Sequence, residues 1–173
     1  MFRYYARTKS SDEPGGKPMT KQELVNQVLA SKTFLDKSTD VLTEEDSGLT
    51  PVEGMMTAAQ QISHIAQTAD WFMEGVFGDG FNMNFEESAK EIMAVTSLDE
   101  ALKWLQRSYD NVVETIGSKT EEKLNELTPE GAVMGSTPKV LVLGGIPEHT
   151  AHHRGALTVY TRLAGKVPSM PYM

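Results

Sequence analysis

An all-α fold is what this 173-residue sequence predicts, and three observations predict it. Thr20-Lys21-Gln22-Glu23 and Ser97-Leu98-Asp99-Glu100 each carry the reciprocal capping pattern of a helix start. Behind both starts, apolar residues recur at steps of three and four, the spacing of a buried helical stripe. Nowhere does the chain alternate apolar and polar residues as a half-buried strand would. A single domain is expected, because 173 residues suffice for one core and are short for two.

Residues 1–19 open with Phe2-Arg3-Tyr4-Tyr5 and pass into the turn-rich Ser10-Ser11-Asp12-Glu13-Pro14-Gly15-Gly16, so an N-terminal arm is expected ahead of a domain over 20–173. The first helix is placed over 20–40, with Leu24, Val28, Leu35 and Val41 on its inner side. A linker containing Pro51 leads to a second helix over 53–77. Asn84-Phe85-Glu86-Glu87 caps a short piece ending near Val95, within a crossover rather than a tight turn. The third helix, 97–117, presents Leu98, Ala101, Leu105, Tyr109, Val112 and Ile116, with Gly117 placed to stop it. A long link through Glu121 and Pro129 reaches Ser136-Thr137-Pro138, which opens a fourth helix over 138–164. Pro147 predicts a kink in that helix, or else a helix that begins there.

The second helix has two faces. Ala58, Ile62, Ile65, Ala69, Phe72 and Val76 form an ordinary core stripe, while His64 lies about 120° away in the company of Gln60, Gln67 and Trp71. That second face reads as a pocket wall, although a mixed polar face is as a rule solvent-exposed. In the fourth helix, Ile146, His149, His153, Leu157, Tyr160 and Ala164 share one stripe, so both histidines are expected to be buried. His149 and His153 stand four residues apart and about 40° from each other, which is metal-ligand spacing. With His64 they make three imidazoles for one ion; a satisfied core pair is the plain alternative. His152 points about 60° off His149 and is expected at the surface or behind the ligands.

Composition narrows the partners. With 24 acidic against 16 basic residues and a net charge of −8, neither a nucleic-acid backbone nor an anionic membrane is expected to bind. The absence of cysteine excludes disulfides and thiolate ligands, leaving imidazole and carboxylate for a metal. No apolar run reaches the roughly 20 residues of a membrane span and no signal-peptide pattern opens the chain, so a soluble cytoplasmic protein is expected.

The segment His149-Thr150-Ala151-His152-His153-Arg154-Gly155-Ala156-Leu157, with one histidine in the second helix and the tail Lys166-Val167-Pro168, resembles the DinB/YfiT-like metalloenzymes over residues 20–173. The resemblance implies a four-helix bundle of up-down-down-up topology, a divalent metal held by His64, His149 and His153, and a homodimer. Met73, Met93 and Met134, which the four stripes leave unused, agree with a dimer.

Three imidazoles leave an ion open positions, whereas a structural zinc site is normally closed by a fourth protein ligand. Catalysis is therefore expected. Zinc or nickel is the first expectation for the ion, with iron, copper or manganese as alternatives. Since the chain has no thiol, a low-molecular-weight thiol would come as cosubstrate, in keeping with relatives that look like thiol transferases. The expected activity is thiol-dependent transfer on a small-molecule substrate; a metal-dependent hydrolase and a non-catalytic binding bundle are the other readings. No glutamate follows His149 as in H-E-x-x-H, so the motif names no general base.

Overall fold

The computed structural model describes residues 19–131 and 133–173, and these are helical with no strand among them. The expected arm therefore lies, Met19 apart, outside the described residues. Four long helices form the bundle: α1 (Lys21–Thr39), α2 (Ala58–Phe77), α4 (Leu98–Ser118) and α7 (Gly145–Leu163). Three shorter ones serve the connections: α3 (Phe85–Ala94), α5 (Glu121–Asn125) and α6 (Lys139–Leu143). No helix among the described residues is long and apolar enough to cross a membrane.

Side-chain pairings fix how the long helices run. Lys21 at the start of α1 donates to the carbonyls of Gly117 and Lys119 at the end of α4, so these two helices are antiparallel. Asp70 in α2 accepts from Trp104 and Ser108 in α4, Ser47 just ahead of α2 meets the Leu98 amide, and Phe77 at the end of α2 faces Lys119. Hence α2 and α4 run in the same direction. Gln61 near the start of α2 donates to Tyr160 near the end of α7, and Gly145 opens α7 against Phe72, so α7 runs against α2. Two parallel neighbours cannot be joined by a hairpin, and α3 supplies the crossover.

The capping box at Thr20 starts α1 as expected, while at Ser97 only one half of the expected box forms, the Ser97 hydroxyl accepting from the Glu100 amide. For α2, the expected start at residue 53 is five residues early. Gly54 has φ +85°, which ends any helix there, and Thr57-Ala58-Ala59-Gln60 forms its own capping box. Gly117 does not stop α4, which continues to Ser118. The long link is not structureless either: Thr120 caps α5, whose Leu124 is fully buried. The fourth helix is two, because the chain turns at Gly144, and Pro147 then occupies the first turn of α7. There its missing N–H costs nothing, since the first four amides of a helix have no partner inside it.

The core lies where the α2 and α4 stripes placed it, whereas on α7 His153 is buried, His149 only half-buried, and Ala164 exposed past the helix end. All six expected positions of α2 and all six of α4 are buried. On α1 the stripe ends at Leu35, since Val41 lies beyond the helix and is only half-buried. Met73 is packed in the core and is not available to a partner, whereas Met93 and Met134 are exposed.

Candidate metal centre

The three predicted histidines meet. α2 brings His64 to the inner side of the bundle, and α7, packed antiparallel on it, brings His149 and His153 one turn apart. One ligand nitrogen from each ring lies within 4.8 Å of the other two. Ring centroids are 4.9 Å apart for His64 and His149, 4.7 Å for His64 and His153, and 4.5 Å for His149 and His153. The close approach of the two helices depends on Gly145, because a Cβ there would run into the Phe72 ring.

The electrostatics are those of buried bases. Nδ1 of His64 and Nε2 of His149 are buried without a hydrogen-bond partner among the described residues. A buried polar atom left unsatisfied is destabilising, by about 1–3 kcal/mol. Burial lowers the pKa of all three rings, with repulsion among the histidines adding to it: His149 falls to about 4, His153 to about 3, and His64 below its ordinary value. Neutral imidazole is the form that offers a lone pair to a cation. Unpartnered lone pairs converging on one point, with no cationic side chain among them, are the donor set of a borderline transition-metal ion, so the residues present fit a divalent metal.

His152 is exposed, with its ring 4.8 Å from that of His153 at a T-shaped angle. The three expected wall residues have other contacts. Gln60 closes the capping box of α2 and donates to the Met93 carbonyl, Gln67 donates to Ser88, and the Trp71 indole donates to the Asn82 carbonyl while packing on Phe81. All three hold the crossover against α2.

The residue that touches the cluster was missed. Gln61, buried, meets Nδ1 of His153, and its other end meets Tyr160. A helical wheel contains the signal: Gln61 lies about 60° from His64, midway between that residue and the core stripe, on the side α7 covers. Gln60 and Gln67 lie on the other side.

Residues 10–173 match the family model described as the DinB family. The match begins ten residues ahead of the expected domain start at residue 20. No curated protein matches the chain. Among solved structures, a DinB-like protein from Bacillus cereus is similar at 22% identity and a TM-score of 0.69, over 87% of this chain and 97% of that one. The colibactin self-resistance protein ClbS, solved in complex with a dsDNA, is similar at 14% identity and a TM-score of 0.62, over 85% and 98%. YfiT from Bacillus subtilis, described as "a probable metal-dependent hydrolase with an unusual four-helix bundle topology", is similar at 14% identity and a TM-score of 0.64, over 91% and 95%. At these identities the likeness shows the fold.

Proposed function

This chain belongs to the DinB family, and on that premise we propose that it is a metal-dependent enzyme whose His64, His149 and His153 hold one divalent ion, zinc or nickel first. The observation that carries the proposal is the pair of buried ring nitrogens on His64 and His149, which no group among the described residues satisfies. Such an ion would supply Lewis acidity toward a small thiol or a water. The chain's own part is to present three neutral imidazoles and to keep them neutral by burial. It offers no fourth ligand among the described residues, which leaves room for a small molecule. Gln60, Gln67 and Trp71 enter as the residues that seat the crossover and so form the wall beside His64.

Thiol transfer is the first reading, because the cysteine-free chain must take any thiol from solution. Hydrolysis is the second, favoured by what is said of YfiT. Untagged protein is analysed for metals and then given a small electrophilic acceptor with and without low-molecular-weight thiols. Stoichiometric metal and thiol-dependent consumption are expected, both lost in His153→Ala. Equal consumption without thiol would favour the hydrolase, and protein that holds no ion would sink both. A net charge of −8 is unsuited to a phosphate backbone, so the DNA of ClbS is not carried over. A homodimer remains part of the proposal, resting on the family resemblance and on exposed Met93 and Met134; sedimentation as a monomer at micromolar concentration would remove it.

A further inference from the structure

We infer that Gln61 is a positioning residue that fixes the tautomer of His153, through a one-way chain of hydrogen bonds that begins at a backbone carbonyl. The direction follows from the end of the chain. The Met56 carbonyl can only accept, so the Tyr160 hydroxyl, 3.0 Å away, must spend its single proton there. That leaves the Tyr160 oxygen as an acceptor toward Gln61, whose amide nitrogen stands 3.4 Å from it. With its NH2 turned to Tyr160, Gln61 presents its carbonyl oxygen to Nδ1 of His153. Nδ1 must therefore carry the proton. Nε2 is then the nitrogen with the free lone pair, turned to the opposite side of the ring from Gln61.

A side-chain amide can as a rule be drawn either way round, which is the usual weakness of such assignments. Here its orientation is dictated by a carbonyl that has no proton to give. Every link is inside the fold: Gln61 and Tyr160 are both buried, at 7% and 2% exposure. Hydrogen bonds from the distal nitrogen of a ligating histidine orient the ring and raise its basicity, and losing one typically costs 10- to 100-fold in metal affinity. His64 and His149 each keep a buried unpartnered nitrogen, so His153 is the ring for which this chain has built a support.

The affinity consequence rests on the metal reading proposed above; the tautomer does not. Long-range proton–nitrogen NMR of metal-free protein, at a pH above the range where free histidine titrates, reports which ring nitrogen bears the proton. Wild type is expected to show His153 protonated on Nδ1. Gln61→Leu should release the ring toward the other tautomer and weaken zinc or nickel binding by about 10- to 100-fold in calorimetry. Gln61→Glu, which still accepts from Nδ1, should keep both. Tyr160→Phe removes only the hydroxyl, frees the Gln61 amide to flip, and should give a mixture of tautomers, so the inference stays testable if Gln61→Leu does not fold. The expected tautomer in a wild-type protein that binds no metal would support the relay and sink the metal reading. His153 protonated on Nε2 in wild type, or Gln61→Leu with wild-type tautomer and affinity, would overturn the inference.

Discussion

α4 and α7 are helices of nearly equal length, 21 and 19 residues, in one bundle, and they use their inner faces in opposite ways. α4 buries Leu98, Ala101, Leu105, Tyr109, Val112 and Ile116, and its only polar atom in that stripe, the Tyr109 hydroxyl, is met by Thr150 and Ser31. α7 places His149 and His153 at the stripe positions where α4 has Ala101 and Leu105, and leaves Nε2 of His149 with no partner among the described residues. The α4 face is built to hold the fold. The α7 face gives up some stability in the metal-free state for three convergent lone pairs. A stripe that is consistent at every position marks structure, and one interrupted at helical spacing by buried bases marks a site.

The largest expected effect is on the α4 side. Leu105 is fully buried, and Leu105→Ala should cost about 2–5 kcal/mol, through lost burial and the cavity left behind. Denaturant unfolding with and without added zinc or nickel should show the same loss, because the residue belongs to the fold alone. A loss seen only in the presence of metal would break the distinction between the two faces.

Much of this contrast can be read from the residues themselves. The α4 stripe needs only periodicity, and so does the shared face of His149 and His153, whereas His64, about 120° off its own core stripe, joins them as the other helical histidine and through the family resemblance. Less legible was the start of α2. Glu53 and its neighbours allow a helix, and only the φ of Gly54 and the Thr57–Gln60 box move the start to Ala58. Gln60, Gln67 and Trp71 share a wheel sector with His64, yet which element covers that sector depends on how the crossover folds back. Gln61 escaped because its role exists only across the α2–α7 contact, which no single-helix pattern contains.

The next effect is the metal's own. An ion that binds the folded chain only adds RT ln(1 + [L]/Kd), about 2.7 kcal/mol at a hundredfold excess over Kd. Thermal melts should therefore rise with added zinc or nickel and fall with a chelator. Replacing His64, His149 or His153 by Ala should remove the response, and a response that survives in His64→Ala would show that α2 contributes no ligand.

Metal-free stability should respond to pH as well. His149 and His153 have folded pKa values lowered to about 4 and about 3, against an ordinary 6.5, so below about pH 6.5 the unfolded chain binds protons that the folded chain refuses. Their contribution is complete above that pH and is lost as pH falls toward 4 and then 3. His149→Leu removes one such group together with its unpartnered nitrogen. In metal-free protein it should be neutral or slightly stabilising near neutral pH, and the acid-side decline should flatten. Acid melts of His149→Leu that superimpose on wild type would show that burial of this ring is not what the fold resists.

The smallest effect belongs to the fourth histidine, and it sharpens the comparison most. His152 is exposed, yet its ring stands 4.8 Å from that of His153, as close as the ligands are to one another. Proximity alone would make it a ligand. The helix argues otherwise, since one residue along α7 turns the side chain by about 100°, and His153 and His149 already face α2. His152→Ala should accordingly leave the metal-induced gain in stability within about 0.5 kcal/mol of wild type, the range of an ordinary surface substitution. Metal-free acid stability should change only slightly, because repulsion from His152 is a minor cause of the lowered pKa values of His149 and His153, after burial. Should His152→Ala lose the metal as fully as His153→Ala, the exposed side of α7 would be part of the centre, and the division between a buried site and a solvated face would fail.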